Sequence, residues 1–361
     1  MKKIFKKLVL TFGYHLGIFE IIRIIFSKKG YVPILLYHQI LDEVETDSGL
    51  SSFYLLGTGI SKNHFERQIG YLKKKYNIVG LKEYIEKKEN KENLAGLAVI
   101  TFDDGFKNPG LNILKNQNVP ATIFIIGDAF EKLCWSHRLC LLLDYAKVKT
   151  FTMNLTPGET VSFSLTNSKK KKEAVFSLIK IMRNVTQDRK DNLIKKIELD
   201  LMVEKKFRFA DIYLNENDIK QLVKTNLSFG VHSMSHTRLD TLDAKDLEEE
   251  IVCSEKLLKK LTQNEYIPFS IPLGYYDDRV LETIRRKKFL CNLTSDDGLN
   301  GKDQDIYRLK RIYVNAHTFS EFVFKISGTR IVYQNCLKYI LRILRGVFLF
   351  PKTKNKAKNA D

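Results

Sequence analysis

Asp103 and Asp104 stand next to each other at the end of an apolar run, Leu97 to Phe102, and Gly105 follows them. The run has the length and the β-branched content of a buried strand. Two neighbouring acids at a strand end repel each other unless a cation offsets their charge. Adjacent residues of an extended chain point to opposite sides, so one carboxylate can face a metal while the other accepts a proton. A plain turn explains the same residues, since Asp and Gly are common in turns.

His232 and His236 end a second apolar run. Their spacing of four places both imidazoles on one side of a helical turn or of a tight loop. Two imidazoles and one carboxylate form a facial ligand set for a divalent metal and leave positions open for water and substrate. A single histidine is more often a packed or surface residue, but this chain places two of its 7 histidines at this spacing. The two stretches together favour a metal-dependent reaction.

The segments Thr101 to Gly105 and His232 to His236 resemble the first two motifs of the polysaccharide deacetylases, the NodB-homology domain of carbohydrate esterase family 4. The resemblance extends from about Pro33 to about Asn315, and a long insertion interrupts it. It implies a hydrolase of carbon–nitrogen bonds other than peptide bonds. Such an enzyme removes an N-acyl group, usually acetyl, from an amino sugar of a cell-envelope polysaccharide or lipid-linked glycan. A non-catalytic carbohydrate-binding protein on the same barrel is the alternative.

Transfer of the family's roles, residue by residue, assigns Asp104, His232 and His236 to a metal ion and Asp103 to the general base. The resemblance implies one divalent ion. Zinc suits two imidazoles and a carboxylate, and cobalt, nickel or manganese can occupy the same set. The base would take a proton from the water that attacks the amide carbonyl.

Pro272, Leu273 and Gly274 resemble the third motif of the family. There, the backbone N–H of the residue after the proline holds the oxygen that becomes negative during the reaction. Many members carry an arginine two residues before this proline, whereas this chain has Ser270. We therefore predict that Arg311 replaces the missing cation beside the base.

Two histidines are candidates for the general acid that protonates the leaving amine. His317 stands near the family's last motif but matches it imperfectly. His38 ends the first apolar run, which resembles the Tyr-His opening of many members, and it is predicted to line the site. A purely structural role for His38 stays open.

Seven apolar runs predict the strands that position these residues, and helices lie between most of them. The runs cover 32–37, 97–102, 121–126, 227–231, 267–271, 289–294 and 309–314. Strand–helix alternation implies a parallel sheet, and closing it gives a TIM-like barrel with seven strands. The candidates lie just past strand ends, where barrel enzymes keep their active sites. The family resemblance independently implies a distorted (β/α)7 barrel. A second Asp-Asp-Gly, at 296–298, is interpreted as a turn.

The predicted organisation has four parts. Residues 1–30 form an amphipathic N-terminal helix, 31–126 and 216–330 form the α/β barrel, and 127–215 form a helical insertion. Residues 331–361 form a basic amphipathic helix and a disordered tail. The periodicity of the two ends fits packing on the barrel as well as contact with a membrane. A run of four lysines at 169–172 is interpreted as solvated surface.

Charge and cysteine content narrow the partners and the location. The 361 residues carry a net charge of +18. Residues 1–29 and 333–361 each contain seven basic residues and one acidic residue. No aromatic-interleaved basic motif indicates nucleic acid, and basic ends with apolar faces favour an anionic membrane surface. The five cysteines are scattered, which indicates reduced thiols. With no clear cleavable signal peptide, we predict a cytoplasmic protein that can lie at the inner face of the membrane.

Overall fold

A closed barrel of seven parallel strands forms the centre of the computed structural model, which describes residues 10–46, 49–156, 159–183, 185, 187–314 and 318–336. In chain order the strands are β1 (Ile34–Tyr37), β2 (Leu97–Phe102), β3 (Ala121–Ile125), β4 (Leu227–Val231), β5 (Phe269–Ser270), β6 (Asn292–Asp297) and β7 (Leu309–Tyr313). Each strand pairs with the next, and β7 pairs with β1. The predicted seven-stranded barrel is confirmed.

The barrel closes because its strands are apolar on both faces. Every residue of β2 and of β3 is buried, as expected for parallel strands with a filled interior and an outer layer of helices. One further strand, Asn77–Ile78, extends the sheet beside the first residues of β2. Since all seven strands run in one direction, their carboxyl ends meet at one rim, and this rim carries the candidate residues.

Helices cover the outside of the barrel and build the insertion. They are α1 (Ile18–Lys28), α2 (Ser52–Leu56), α3 (Lys62–Lys75), α4 (Leu81–Glu89), α5 (Pro109–Asn116), α6 (Trp135–Asp144), α7 (Ser168–Arg183), α8 (Gln187–Asp200), α9 (Phe209–Ile212), α10 (Glu216–Leu222), α11 (Ala244–Thr262), α12 (Asp278–Arg286) and α13 (Phe319–Ile326). Short 3₁₀ turns lie at Gly127–Phe130, Leu239–Thr241, Pro272–Gly274 and Ile306–Arg308. Residues 10–15 are also helical.

Three small two-stranded sheets complete the fold. Gln39–Leu41 pairs with Gly59–Ser61, and Glu45–Thr46 pairs with Gly49–Leu50. The third sheet lies inside the insertion, where Thr150–Thr156 pairs antiparallel with Glu159–Ser164. The prediction of a purely helical insertion is therefore wrong for this hairpin. Its alternation of buried and exposed residues gives a period of two, which a search for helical periodicity passes over.

A buried ion pair inside the insertion is hydrogen-bonded to the start of α2. Lys171 is fully buried, and its Nζ lies 2.9 Å from Oδ1 of Asp144. The same carboxylate accepts hydrogen bonds from the hydroxyls of Ser51 (3.0 Å) and Ser52 (2.7 Å). The interpretation of the lysine run as solvated surface is therefore wrong for Lys171. A buried charge is tolerated only with such partners.

The N-terminal helix packs on the barrel through one face. Phe19 is buried, and its ring lies 5.5 Å from that of Phe324. Tyr14 contacts Phe319 at 5.8 Å. Within the part of the chain that the structure describes, no helix is both long and apolar enough to cross a bilayer. Most of the predicted C-terminal helix and its tail lie outside the described residues.

Candidate active site

Loops at the carboxyl ends of β2, β4 and β5 bring the first three motifs together in an unusual backbone conformation. Asp104 (φ 72°), His236 (φ 57°) and Leu273 (φ 59°) all adopt left-handed backbone geometry. For residues with a Cβ atom this conformation costs on the order of 1–2 kcal/mol each. Strain of this kind persists where the surrounding structure imposes it, and it clusters at functional sites. The histidine pair lies in a tight loop, one of the two alternatives that its spacing left open.

The predicted metal ligands converge. Oδ1 of Asp104 lies 3.5 Å from Nε2 of His232 and 3.3 Å from Nε2 of His236. The ligand atoms of the three side chains all lie within 4.8 Å of one another, and all three residues are buried. Residues separated by more than a hundred positions thus meet at one point of the rim.

The chemistry of these atoms fits a divalent cation. Oδ1 of Asp104 is buried and has no hydrogen-bond partner, a costly arrangement for a carboxylate oxygen unless a cation or a proton compensates it. Nδ1 of His232 lies 2.8 Å from the carbonyl oxygen of Ser270. Donation to that carbonyl fixes the tautomer and leaves the Nε2 lone pair facing Asp104.

The two imidazoles differ in their protonation. Burial lowers the pKa of His232 to about 4, which keeps this ring neutral and able to bind a metal. For His236, burial lowers the pKa, but Cys134 and Asp104 outweigh burial and raise it to about 9. The Cys134 sulfur lies 3.5 Å from Nδ1 of His236. A cation at Nε2 of His236 therefore competes with a proton.

The other carboxylate, Asp103, is held by a buried arginine. Nη1 and Nη2 of Arg311 lie 2.7 Å and 2.8 Å from the two oxygens of Asp103. The guanidinium also donates to the carbonyl of Thr294 (2.9 Å) and to the hydroxyl of Ser270 (2.9 Å). Arg311 thus reaches from β7 to the position beside Asp103 where we predicted a replacement cation.

The pKa of Asp103 lies below its usual value. Burial raises this pKa, but the Arg311 guanidinium and His232 more than offset burial. Asp103 is therefore ionised and carries the free lone pairs that a proton acceptor needs. Its Oδ2 lies 3.7 Å from Nε2 of His232, so it borders the position between the metal-ligating atoms.

Sequence reasoning missed His137, which the insertion contributes from α6. Its Nε2 lies 3.2 Å from Oδ2 of Asp104, and its Nδ1 lies 2.6 Å from the hydroxyl of Tyr213. His137 stands alone in the sequence, without a spaced partner or an apolar strand before it. No sequence pattern could therefore have connected it to the rim.

A second missed residue, Glu250 of α11, holds the histidine loop from behind. One of its carboxylate oxygens accepts hydrogen bonds from the backbone N–H groups of Met234 and Ser235, both at 2.9 Å. The other accepts the hydroxyl of Ser235 at 2.5 Å. This carboxylate fixes two of the three residues between His232 and His236.

The third motif forms a 3₁₀ turn just after β5. Pro272 is buried, and Leu273 has φ 59° and ψ −5°. Gly274 has φ 74°, and a Cβ atom there would lie 2.7 Å from the Cβ of Ser295. Only glycine fits this position without displacing β6.

Of the two candidates for the general acid, the structure describes one. His38 follows β1 at the rim, and its ring packs edge-on against Tyr313 at 5.4 Å. Burial lowers the pKa of His38, and the Asp104 and Asp103 carboxylates oppose that shift. Its Nδ1 atom is buried without a hydrogen-bond partner. His317 lies outside the described residues.

The acids of the second Asp-Asp-Gly are exposed, unlike the buried Asp103 and Asp104. Asp296 and Asp297 belong to β6 itself, so the interpretation as a turn is wrong for them. Asp297 pairs with Arg330 at 2.9 Å on the surface.

Comparison with known proteins finds similarity to polysaccharide deacetylases over part of the chain. A family profile described as "Polysaccharide deacetylase" matches residues 168–291. The curated Bacillus subtilis (strain 168) relative YxkH, whose name carries the polysaccharide deacetylase description, is 26% identical over 103 residues. That match covers 28% of this chain and 37% of the relative, so this chain spans little more than a third of the relative's length.

Solved structures share the barrel. The deacetylase PplD of Streptococcus pyogenes, in complex with acetate, matches with a TM-score of 0.54 and 17% identity, over 82% of this chain and 98% of that chain. A Bacillus cereus polysaccharide deacetylase gives 0.51 and 18%, over 82% and 69% of the two chains. IcaB from Ammonifex degensii gives 0.50 and 15%, over 82% and 96%. At such identities the likeness confirms the fold.

Proposed function

We propose that this chain, identified by its motifs and by these matches as a member of the polysaccharide deacetylase family, is a metal-dependent hydrolase. Its substrate would be an N-acylated, most simply N-acetylated, amino sugar of a cell-envelope polysaccharide or a lipid-linked glycan. One observation carries the proposal. Asp104 presents an unpartnered buried oxygen to two imidazole nitrogens, while the adjacent Asp103 is neutralised separately by Arg311.

The residues divide the reaction between them. Asp104, His232 and His236 would hold one divalent ion, for which zinc is well suited. When bound, such an ion polarises an amide carbonyl and lowers the pKa of water. Asp103 accepts the proton of the attacking water, and its bidentate contact with Arg311 keeps it oriented for that step.

The remaining roles concern the carbonyl oxygen and the leaving amine. Leu273, the residue after the third-motif proline, has a left-handed backbone. Its N–H would hold the negative charge that develops on the carbonyl oxygen. The amine takes a proton from His38 or from His317. Replacing each histidine by alanine and comparing the alkaline limb of the pH–rate profile identifies the donor, because only loss of the donor removes that limb.

The deciding experiment measures both metal and product. The purified protein, loaded with zinc, is incubated with N-acetylglucosamine oligomers and with lipid-linked N-acetyl amino sugars, and released acetate and substrate mass are followed. We expect acetate release that a chelator abolishes and added zinc restores. A zinc-loaded protein that binds these glycans but releases nothing would instead indicate the carbohydrate-binding alternative.

We further propose that the partner surface is an anionic membrane. Five side chains of the N-terminal helical segments form an exposed apolar stripe. They are Phe12, Leu16, Ile18, Ile21 and Ile25, with exposed fractions of 60%, 69%, 44%, 59% and 47%. Four lysines lie within the first seven residues of the chain, and Lys28 and Lys29 end the helix. Apolar side chains flanked by cations are the combination that binds anionic lipid surfaces.

Only the start of the stripe lies near the rim that carries the site, because α1 ends beside Tyr31, ahead of the amino end of β1. Tyr14, beside the stripe, packs on Phe319, which follows the carboxyl end of β7 by a few residues. A peripheral location at the inner face of the membrane stays a prediction.

Vesicle sedimentation tests this surface. We expect the protein to pellet with vesicles of phosphatidylglycerol and phosphatidylcholine, and much less with phosphatidylcholine alone. The Leu16→Glu, Ile21→Glu double variant should stay in solution. Leu199→Glu is the matched control, because Leu199 is 77% exposed on the insertion. Equal pelleting of all three proteins would remove the membrane from the proposal.

A further inference from the structure

The insertion holds the loop that carries Asp104. Where the insertion returns to the barrel, the backbone N–H of Leu214 donates to the carbonyl of Gly105 at 2.9 Å. The N–H of Lys107 donates to the carbonyl of Ile212 at 2.8 Å. The last residues of the insertion therefore form a short antiparallel contact with the residues that follow Asp104. These two hydrogen bonds hold the loop in which Asp104 keeps its left-handed conformation.

A chain of buried side chains continues from this contact to the carboxylate. The N–H of Cys134 donates to the hydroxyl of Tyr213 at 3.2 Å, and that hydroxyl lies 2.6 Å from Nδ1 of His137. Nε2 of His137 faces Oδ2 of Asp104 at 3.2 Å. Because the carboxylate oxygen of Asp104 can only accept, its contact with His137 places the imidazole proton on Nε2, and Nδ1 then accepts from the tyrosine hydroxyl. Each donor in this series of hydrogen bonds, from Cys134 to Asp104, therefore has an acceptor.

The two oxygens of Asp104 thus have separate surroundings. Oδ2 faces His137, whereas Oδ1 faces His232 and His236. We propose that His137, aligned by Tyr213, is a positioning residue of the metal centre. It holds Oδ2 so that Oδ1 points at the other two ligands. This inference rests on the proposed metal-dependent function, and it gives the insertion a role in completing the site.

Partners of this kind orient a ligand and typically change metal affinity 10- to 100-fold when removed. The test measures the dissociation constant for zinc by competition with a chromophoric chelator, and the visible absorption of the cobalt-loaded protein. We expect His137→Ala to bind zinc about 10- to 100-fold more weakly than the unaltered chain. His137→Gln should recover most of this loss, because its amide N–H can reach Oδ2. Tyr213→Phe should fall between the two.

The control is Tyr145→Phe. Tyr145 follows α6 in the same insertion and is half-buried, and its ring packs on Phe207 and Lys205. This variant should bind zinc as the unaltered chain does. Thermal unfolding of the metal-free proteins separates folding from positioning, since a merely structural role lowers stability without the recovery by glutamine. If His137→Ala does not fold, His137→Gln and Tyr213→Phe carry the test.

Three results would overturn the inference. Zinc affinity within about twofold of the unaltered chain in His137→Ala and Tyr213→Phe would show that the contact does not position Asp104. A shift of the cobalt absorption bands in His137→Ala, as loss of a nitrogen ligand produces, would make His137 a ligand instead. An unaltered chain that binds no metal would remove both this inference and the proposed function, whereas the first two results leave the function standing.

Discussion

Asp103 and Asp104 are neighbours in sequence with equal burial, yet their surroundings are opposite. Both oxygens of Asp103 receive hydrogen bonds from Arg311, a residue of the barrel wall. Asp104 lies on a left-handed loop held by the insertion, and its Oδ1 has no hydrogen-bond partner. One carboxylate is paired with a permanent cation of the protein, whereas the other faces only imidazole rings.

This difference teaches how one pair of acids can serve two purposes. The pKa of each carboxyl lies below its usual value against the effect of burial, but the offsetting charges differ. For Asp103 the largest is a permanent guanidinium. For Asp104 the largest are the imidazoles of His137 and His236. Environments that separate two carboxylates in this way mark their distinct roles.

The largest effect should come from replacing Asp104, the carboxylate that faces the imidazole rings. Asp104→Asn keeps the shape of the side chain but removes its charge. We expect zinc binding to be lost and acetate release to fall by about 10³-fold or more, since loss of the ion removes several kcal/mol of transition-state stabilisation. Bound zinc by elemental analysis and acetate release measure the two effects.

The second Asp-Asp-Gly provides a matched control for Asp104→Asn. Asp297→Asn changes the same residue type in the same local sequence, but it breaks only a surface pair with Arg330. Such pairs contribute about 0–1 kcal/mol, and zinc content should not change. Activity lost equally in both variants would mean that the position at the rim is not what distinguishes Asp104.

The next largest effect concerns the carboxylate that the protein neutralises itself. Arg311→Ala leaves Asp103 buried without its cation, which should lower the free energy of unfolding by about 3–5 kcal/mol. Turnover should fall by roughly 10²-fold, because the base loses its orientation and charge complement. Arg311→Lys should recover only part of the stability and of the turnover, because its ammonium restores the charge but cannot form the bidentate contact. Arg308→Ala, which removes an exposed pair with Asp278, is the control.

The pH dependence of Arg311→Ala has a definite sign. In the unaltered chain the pKa of Asp103 is lowered, so its contribution to stability is present above the unfolded pKa and is lost as pH falls through the folded pKa. Without Arg311, burial raises the pKa of Asp103, and its ionised form destabilises the fold. The difference in unfolding free energy between the two proteins should therefore be largest near neutral pH and narrow in acid. A constant difference would contradict this account.

The barrel could be predicted from sequence because parallel strands are continuous apolar runs, and all seven were found. The left-handed loops could not, since nothing in the residue types at Asp104, His236 or Leu273 requires a positive φ. The hairpin of the insertion was missed because short alternating strands give weak patterns between strong helical ones.

The site was predictable where spacing in the sequence reflects spacing in the fold. The histidine pair is such a case. Arg311 was found by a different route, because the absence of a cation at Ser270 demanded one elsewhere. His137 and Glu250 lie on helices far along the sequence from the residues that they contact, and no motif or fixed spacing links them to those residues. Only the three-dimensional packing reveals these contacts.

The smallest effect should come from replacing Glu250, which holds the loop between His232 and His236. This replacement tests whether the histidine ligands, like Asp104, need a hydrogen-bonded partner to keep their positions. Glu250→Gln keeps one carbonyl oxygen for the N–H groups of Met234 and Ser235 but loses the charge. Hydrogen bonds to a charged acceptor exceed neutral ones by about 1 kcal/mol. We expect a zinc affinity about 3- to 10-fold weaker, measured by chelator competition. Glu249→Gln, at the exposed neighbouring position, should change nothing. If Glu250→Gln also leaves zinc affinity unchanged, the loop of His232 and His236 keeps its geometry without the charge of Glu250. Of the metal ligands, only Asp104 would then depend on a positioning residue.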